Sequence, residues 1–186
     1  EWKFHQKIIA SDGGASDNFG QSVAISEKHL IVGAYTHGTN DQGAVYVFEK
    51  SAKNKFDFVQ KLSPNSSELI NNYFGRSVSI NGNDLVIGAW GDSSKSGSVY
   101  FMKYNTTNSK FEEVTKEKHP SSQVNAYFGF SVDVHNAVAV IGSHGDVTNG
   151  KNSGACMVYR KSGRTWKHFT TLYPKGVRNA NTEFGY

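Results

Sequence analysis

Ser143-His144-Gly145-Asp146 brings three side-chain types of a hydrolytic triad into one short stretch. Lying consecutively in a loop, they cannot fold back to align nucleophile, base and orienting acid. Each of the first three Phe-Gly pairs opens a Gly-x-Ser, ending at Ser22, Ser77 and Ser131. A nucleophile elbow needs another glycine two residues further on, at a strand-to-helix turn. Here that position holds Ala24, Ser79 or Asp133, and each serine lies inside a predicted strand. The seven histidines are scattered, with no pair at zinc-ligand spacing. There is no P-loop and no dinucleotide fingerprint. No catalytic residue, metal ligand or cofactor is therefore assigned, and the chain is not expected to be an enzyme.

Side chains suited to binding gather instead in three loops. Tyr35, His37 and Asp41 stand in the first, Trp90 and Asp92 in the second, His144 and Asp146 in the third. Aromatic rings flanked by carboxylates could anchor a sugar or a peptide. A structural alternative has Trp90 packing over a neighbouring sheet while Asp92 and Asp146 cap turns.

What positions these loops is a repeat. Phe-Gly begins at residues 19, 74, 128 and 184, at spacings of 55, 54 and 56. In phase with it run Gly33-Ala34, Gly88-Ala89 and Gly142-Ser143, then Gly43-Ala44, Gly97-Ser98 and Gly154-Ala155. A fourth series is aromatic: Trp2, Phe56, Phe111 and Trp166. A fixed period of this length signals a repeat architecture.

Each unit reads as four strands. In the second, residues 74–80 alternate and are rich in β-branched residues, and Asn81-Gly82 makes a tight turn. Residues 85–89 form an almost wholly apolar run, as in a strand buried on both faces. Residues 98–102 and the polar 111–114 complete the set. A gradient from apolar inner strands to a charged outer one suits a radially arranged blade. The other units predict strands at 19–25, 29–34, 44–49 and 56–62, then at 128–134, 137–143, 155–160 and 166–172. The fold class is all-β: a β-propeller of four-stranded antiparallel blades, about three of them, forming an incomplete ring. Residues 1–18 hold an outer strand (2–8) of a preceding blade and a connecting loop. Blades follow at 19–73, 74–127 and 128–183, and 184–186 begin another. Small residues at Gly-Ala let adjacent blades converge, and the Phe of Phe-Gly is expected to wedge between sheets. Asn71, Asn125 and Asn181, each three residues before a Phe, are expected to close the inter-blade loops through side-chain hydrogen bonds.

The phased Phe-Gly and Gly-Ala pairs resemble the FG-GAP repeats of integrin α-subunit β-propellers and related surface proteins, from Phe19 to Glu183. The resemblance implies a propeller, typically of seven blades, that binds proteins or glycans outside the cell. It also implies a ligand face built from the loops named above. Many such repeats carry an Asp-x-Asp-x-Asp-Gly calcium loop. The equivalent stretches here, 26–29, 81–84 and 135–137, lack the oxygens for it, so calcium is not carried over. The chain is similar to the calcium-free repeats of microbial and protist surface proteins.

A net charge of +4 could suggest nucleic acid, but 14 of the 20 Lys and Arg flank the aromatic series in each last hairpin. Lysine there is expected to protect edge strands, so no nucleic-acid partner is assigned. No apolar run approaches the roughly 20 residues that span a bilayer, so no membrane insertion is expected. Cys156, alone, is expected to be a small buried hydrophobe. Sequons at Asn65 and Asn105 lie in polar loops and favour an extracellular, glycosylated chain. The expected partner is a protein, or alternatively a glycan, at the cell surface or within one assembly. An accessory or structural domain of a larger protein is the third possibility.

Overall fold

The computed structural model describes residues 1–64, 70–175 and 182–186. Among these residues twelve strands form three four-stranded sheets, each in simple meander order and antiparallel throughout. The first comprises β1 (Ser22–Ile25), β2 (His29–Ala34), β3 (Ala44–Lys50) and β4 (Phe56–Leu62). The second comprises β5 (Phe74–Asn81), β6 (Asp84–Ala89), β7 (Ser98–Asn105) and β8 (Lys110–Lys118). The third comprises β9 (Val132–His135), β10 (Val138–Ser143), β11 (Ala155–Ser162) and β12 (Thr165–Leu172). Neighbouring sheets meet most closely through their first two strands, and their outer strands barely touch. The sheets thus splay like blades of a propeller, with the ring not closed.

The seams between blades explain the glycines. A Cβ on Gly88 would overlap the carbonyl oxygen of Gly129, and Gly33 and Gly142 stand likewise against Gly75 and Gly185. Gly43, Gly97 and Gly154 bridge in parallel to Phe74, Phe128 and Phe184. The serines of Gly-x-Ser also serve the seams. Ser22, Ser77 and Ser131 donate their hydroxyls to the carbonyls of Gly75, Gly129 and Gly185 at 2.6, 2.8 and 3.0 Å. Rows of loop bonds run alongside: the Tyr73 and Phe74 amides reach Asp41 and Gln42, and those of Tyr127 and Phe128 reach Lys95 and Ser96.

Phe74 and Phe128 are fully buried between sheets. Phe19 is half-buried and Phe184 is 38% exposed, because no further sheet covers them here. One core lies between the first two blades around Val45, Val47, Phe74, Ile87 and Tyr100. A second lies between the last two around Phe101, Phe128, Ile141 and Tyr159. The aromatic series plugs the far end of these seams. Phe111 meets His29 at 5.1 Å, and Trp166 stacks on Phe101 at 5.0 Å.

Three expectations need correction. Residues 2–8 are not a strand, and Trp2 is fully exposed. Nothing among the described residues supplies the inner strands that would pair with them. They nevertheless dock: the Gln6 amide group brackets Phe56, accepting from its N–H at 2.9 Å and donating to its carbonyl at 3.0 Å. Gln60 in β4 brackets Phe111 in the same way, at 2.8 and 3.0 Å. Second, Asn71 and Asn125 serve their loops through left-handed backbone (φ 52° and 59°), with their carbonyls packed against Gly91 and Gly145. Asn181 lies outside the described residues. Third, several of the clustered lysines pair with acids rather than simply guard an edge. Lys116 pairs with Asp92, Lys61 with Asp12, and Lys161 with Asp84.

Candidate functional site

The residue after the first Gly-Ala or Gly-Ser of each blade (Tyr35, Trp90, His144) and the residue before the second and third Phe-Gly (Tyr73, Tyr127) emerge at the same end of the blades. They form one continuous row. Tyr35 lies 6.0 Å from Tyr73, and Tyr73 stacks on Trp90 at 4.4 Å with 10° between ring planes. Trp90 meets Tyr127 edge-on at 5.5 Å, and Tyr127 stacks on His144 at 4.8 Å. Such pairs add about 0.5–1.5 kcal/mol beyond simple burial.

A second tier comes from the residues just after Phe-Gly. The Arg76 guanidinium lies 4.5 Å from the centre of the Phe130 ring and 5.8 Å from that of Tyr35. Phe130 in turn touches His144 (4.5 Å) and Tyr186 (4.9 Å). Between the tiers opens a cavity of about 390 Å³, walled by Trp90, Tyr127, Phe130 and His144, with Lys95 and Glu183 also lining it. Burial holds the His144 imidazole below its ordinary pKa, which favours the neutral ring.

Of the seven residues expected at a ligand face, Tyr35, Trp90 and His144 are brought together, and the other four are not. Asp92 is buried, accepting from Ser98 Oγ at 2.5 Å and pairing with Lys116 at 2.6 Å. Asp146 is buried against His119 Nε2 at 3.0 Å and accepts the Thr148 amide at 2.7 Å. For both, burial pushes the carboxyl up, and the bonds to Lys116 and Ser98, or to His119 and Thr148, outweigh it and hold the pKa below the usual value. His37 occupies the place of these aspartates in the first blade. Its Nδ1 faces Asp17 at 2.7 Å and its Nε2 faces Lys61 Nζ at 2.6 Å. Lys61 also holds Asp12, whose carboxyl it draws down to about 2, helped by the Tyr46 hydroxyl. Asp41 contributes a left-handed backbone and a carbonyl that accepts the Tyr73 amide. The loop carboxylates thus hold the blade ends together, and the aromatic rings form the surface.

Sequence reasoning missed Tyr73, Arg76, Tyr127, Phe130 and Tyr186. Their signal was present: each flanks a Phe-Gly, so the repeat that buries the Phe necessarily delivers its neighbours to the same end. At the hairpin turns of the opposite end, where related repeats place calcium, Asp84 is taken by Lys103 and Lys161, and Asn81 Oδ1 accepts the Asn136 amide. Asn105 sits at the β7–β8 hairpin, its side-chain amide donating to Glu112 at 3.0 Å. Asn65 lies outside the described residues. Cys156 is half-buried. No helix among the described residues is long and apolar enough to cross a membrane.

No curated protein matches the chain significantly. The sequence pattern of the FG-GAP repeat matches residues 2–48, 56–102 and 122–159, well over half of the chain. Two of these units start at Trp2 and Phe56, so each takes in the docked outer segment and the next blade's three inner strands, the part that crosses a seam. With blades, seams and repeat pattern in agreement, the chain belongs to the FG-GAP repeat family, as part of a β-propeller of the kind that serves protein interaction.

Proposed function

We propose that this chain is a non-catalytic interaction module of an extracellular or cell-surface protein, acting in adhesion or assembly through the aromatic end of its blades. The observation that carries this reading is the unbroken row Tyr35–Tyr73–Trp90–Tyr127–His144, built by three successive blades. An aromatic surface beside a cavity is what an interface uses for its anchor contacts. The nearby groups of triad type are tied into the fold, Asp146 to His119 and Ser143 to the Ala126 carbonyl. His119 gives Nε2 to Asp146 and accepts the Ser121 amide on Nδ1, leaving no nitrogen for a substrate. Extracellular placement is favoured by the sequon at Asn105, on an accessible hairpin.

Beads coated with the chain test the proposal directly. They should adhere to cells, and replacing the exposed Tyr186 with Ala should reduce adhesion without lowering the melting temperature. Full adhesion by that variant would refute the assignment of this surface. Protease or glycosidase treatment of the target cells then tells whether the ligand is protein or sugar.

A further inference from the structure

The chemistry around the aromatic cavity points to its ligand, on the reading that this end of the blades is the contact surface. The cavity of about 390 Å³ shares the Phe130 wall with a second hollow of about 530 Å³, which is lined by Arg76, Ser77, Ser131 and Tyr186 among others. Together they make a groove with room for more than one ring. Its walls are π-rich, with the Tyr186 ring beside Phe130 and His144.

The polar groups are few and mixed. Lys95 and Arg76 are cationic and Glu183 is anionic. Lys95 is delivered by three successive left-handed residues, Ser93 (φ 52°), Ser94 (φ 58°) and Lys95 itself (φ 63°). Neither of the other two loops has this turn. Such a run is sterically unfavourable for L-residues, and strain of this kind concentrates at working sites. Trp90 Nε1 and His144 Nδ1, in the cavity walls, are buried without a hydrogen-bond partner. Unpaired polar atoms of this kind call for an explanation.

We propose that this groove binds an acidic oligosaccharide. The C–H faces of its sugar rings lie against Tyr186 and the cavity rings. Its carboxylate pairs with Lys95 or Arg76, and its hydroxyls donate to Glu183. A peptide is disfavoured because backbone groups lining the cavity already serve the fold. The amides of Tyr127, Gly145 and Glu183 donate to Lys95, Ala126 and Asn152 respectively. Around the smaller cavity these backbone donors are therefore not offered to an added strand. A polyanion without hydroxyls is disfavoured because it offers Glu183 no donor, whereas the hydroxyls of a sugar satisfy that carboxylate.

The test is a glycan array of uronic-acid oligosaccharides beside their carboxyl-reduced counterparts, probed at physiological salt with the whole chain, Tyr186→Ala and Lys95→Gln. The expected result is binding to the acidic members at least about ten-fold above the reduced ones. Each substitution should weaken it about ten-fold while melting stays unchanged. Equal binding of acidic and reduced sugars, or none, overturns the proposal. So does binding that tracks charge alone and ignores both substitutions. Should the beads still adhere to glycosidase-treated cells in a Tyr186-dependent way, the contact surface stands and the sugar falls. Should adhesion ignore Tyr186 altogether, the surface itself is refuted.

Discussion

The carbonyl oxygen of Gly129 occupies the space that any side chain on Gly88 would need. The same oxygen accepts the hydroxyl of Ser77 at 2.8 Å, so one atom of the third blade is gripped by two strands of the second. Gly88→Ala must therefore force the seam apart. We expect a loss of about 3 kcal/mol or more in urea denaturation, at the severe end of single substitutions.

Ser77→Ala removes the hydroxyl but no volume that the seam depends on. The Gly129 carbonyl then loses this partner at a partly buried site, which costs about 1–2 kcal/mol. Denaturation midpoints of the two variants should rank Gly88→Ala well below Ser77→Ala.

Gln60→Ala should act locally. The Gln60 side chain accepts from the Phe111 N–H and donates to the Phe111 carbonyl, tying β4 to β8 where the blades otherwise diverge. Hydrogen exchange at the Phe111 amide should accelerate, with a stability loss of about 1–2 kcal/mol.

The buried carboxylates make the fold acid-sensitive. Asp92 and Asp146 have folded pKa values below the ordinary 3.8, burial being outweighed by their bonds to Lys116 and Ser98, or to His119 and Thr148. A depressed pKa contributes stability that is complete above the unfolded value and is lost as pH falls through the folded one. The melting temperature should therefore drop below about pH 4. Asp92→Asn should flatten that drop, while leaving Lys116 unpaired at neutral pH at a cost of about 3 kcal/mol.

The blades were legible in the sequence because their causes are local and repeated. Phe74 and Phe128, and the glycines that face them, recur at one period and alternate with turn residues. Residues 2–8 carry the same pattern, but a strand also needs a partner ladder, and composition cannot reveal its absence. The seam role of Ser22, Ser77 and Ser131 was hidden because each bonds a residue more than 50 positions away. For the same reason Asp92 and Asp146 read as surface ligands. Their partners Lys116 and His119 lie on the outer strand or just beyond it; Lys116 comes near only when its own sheet closes, and His119 only when the second and third blades meet. Tyr73 and Tyr127 went unnoticed beside the phenylalanines they precede.

Residue-resolved hydrogen exchange on Gly88→Val tests the central claim, that each repeat is one sheet locked to the next through its own seam. In the wild type, the Tyr73 and Phe74 amides and those of Tyr127 and Phe128 should be protected, since each donates to the preceding blade. In the variant, Tyr127 and Phe128 should lose protection while Tyr73 and Phe74 keep theirs, as nearest-neighbour coupling between stacked units requires. Unchanged protection at Tyr127 and Phe128 would contradict the account, and so would Tyr73 and Phe74 opening first.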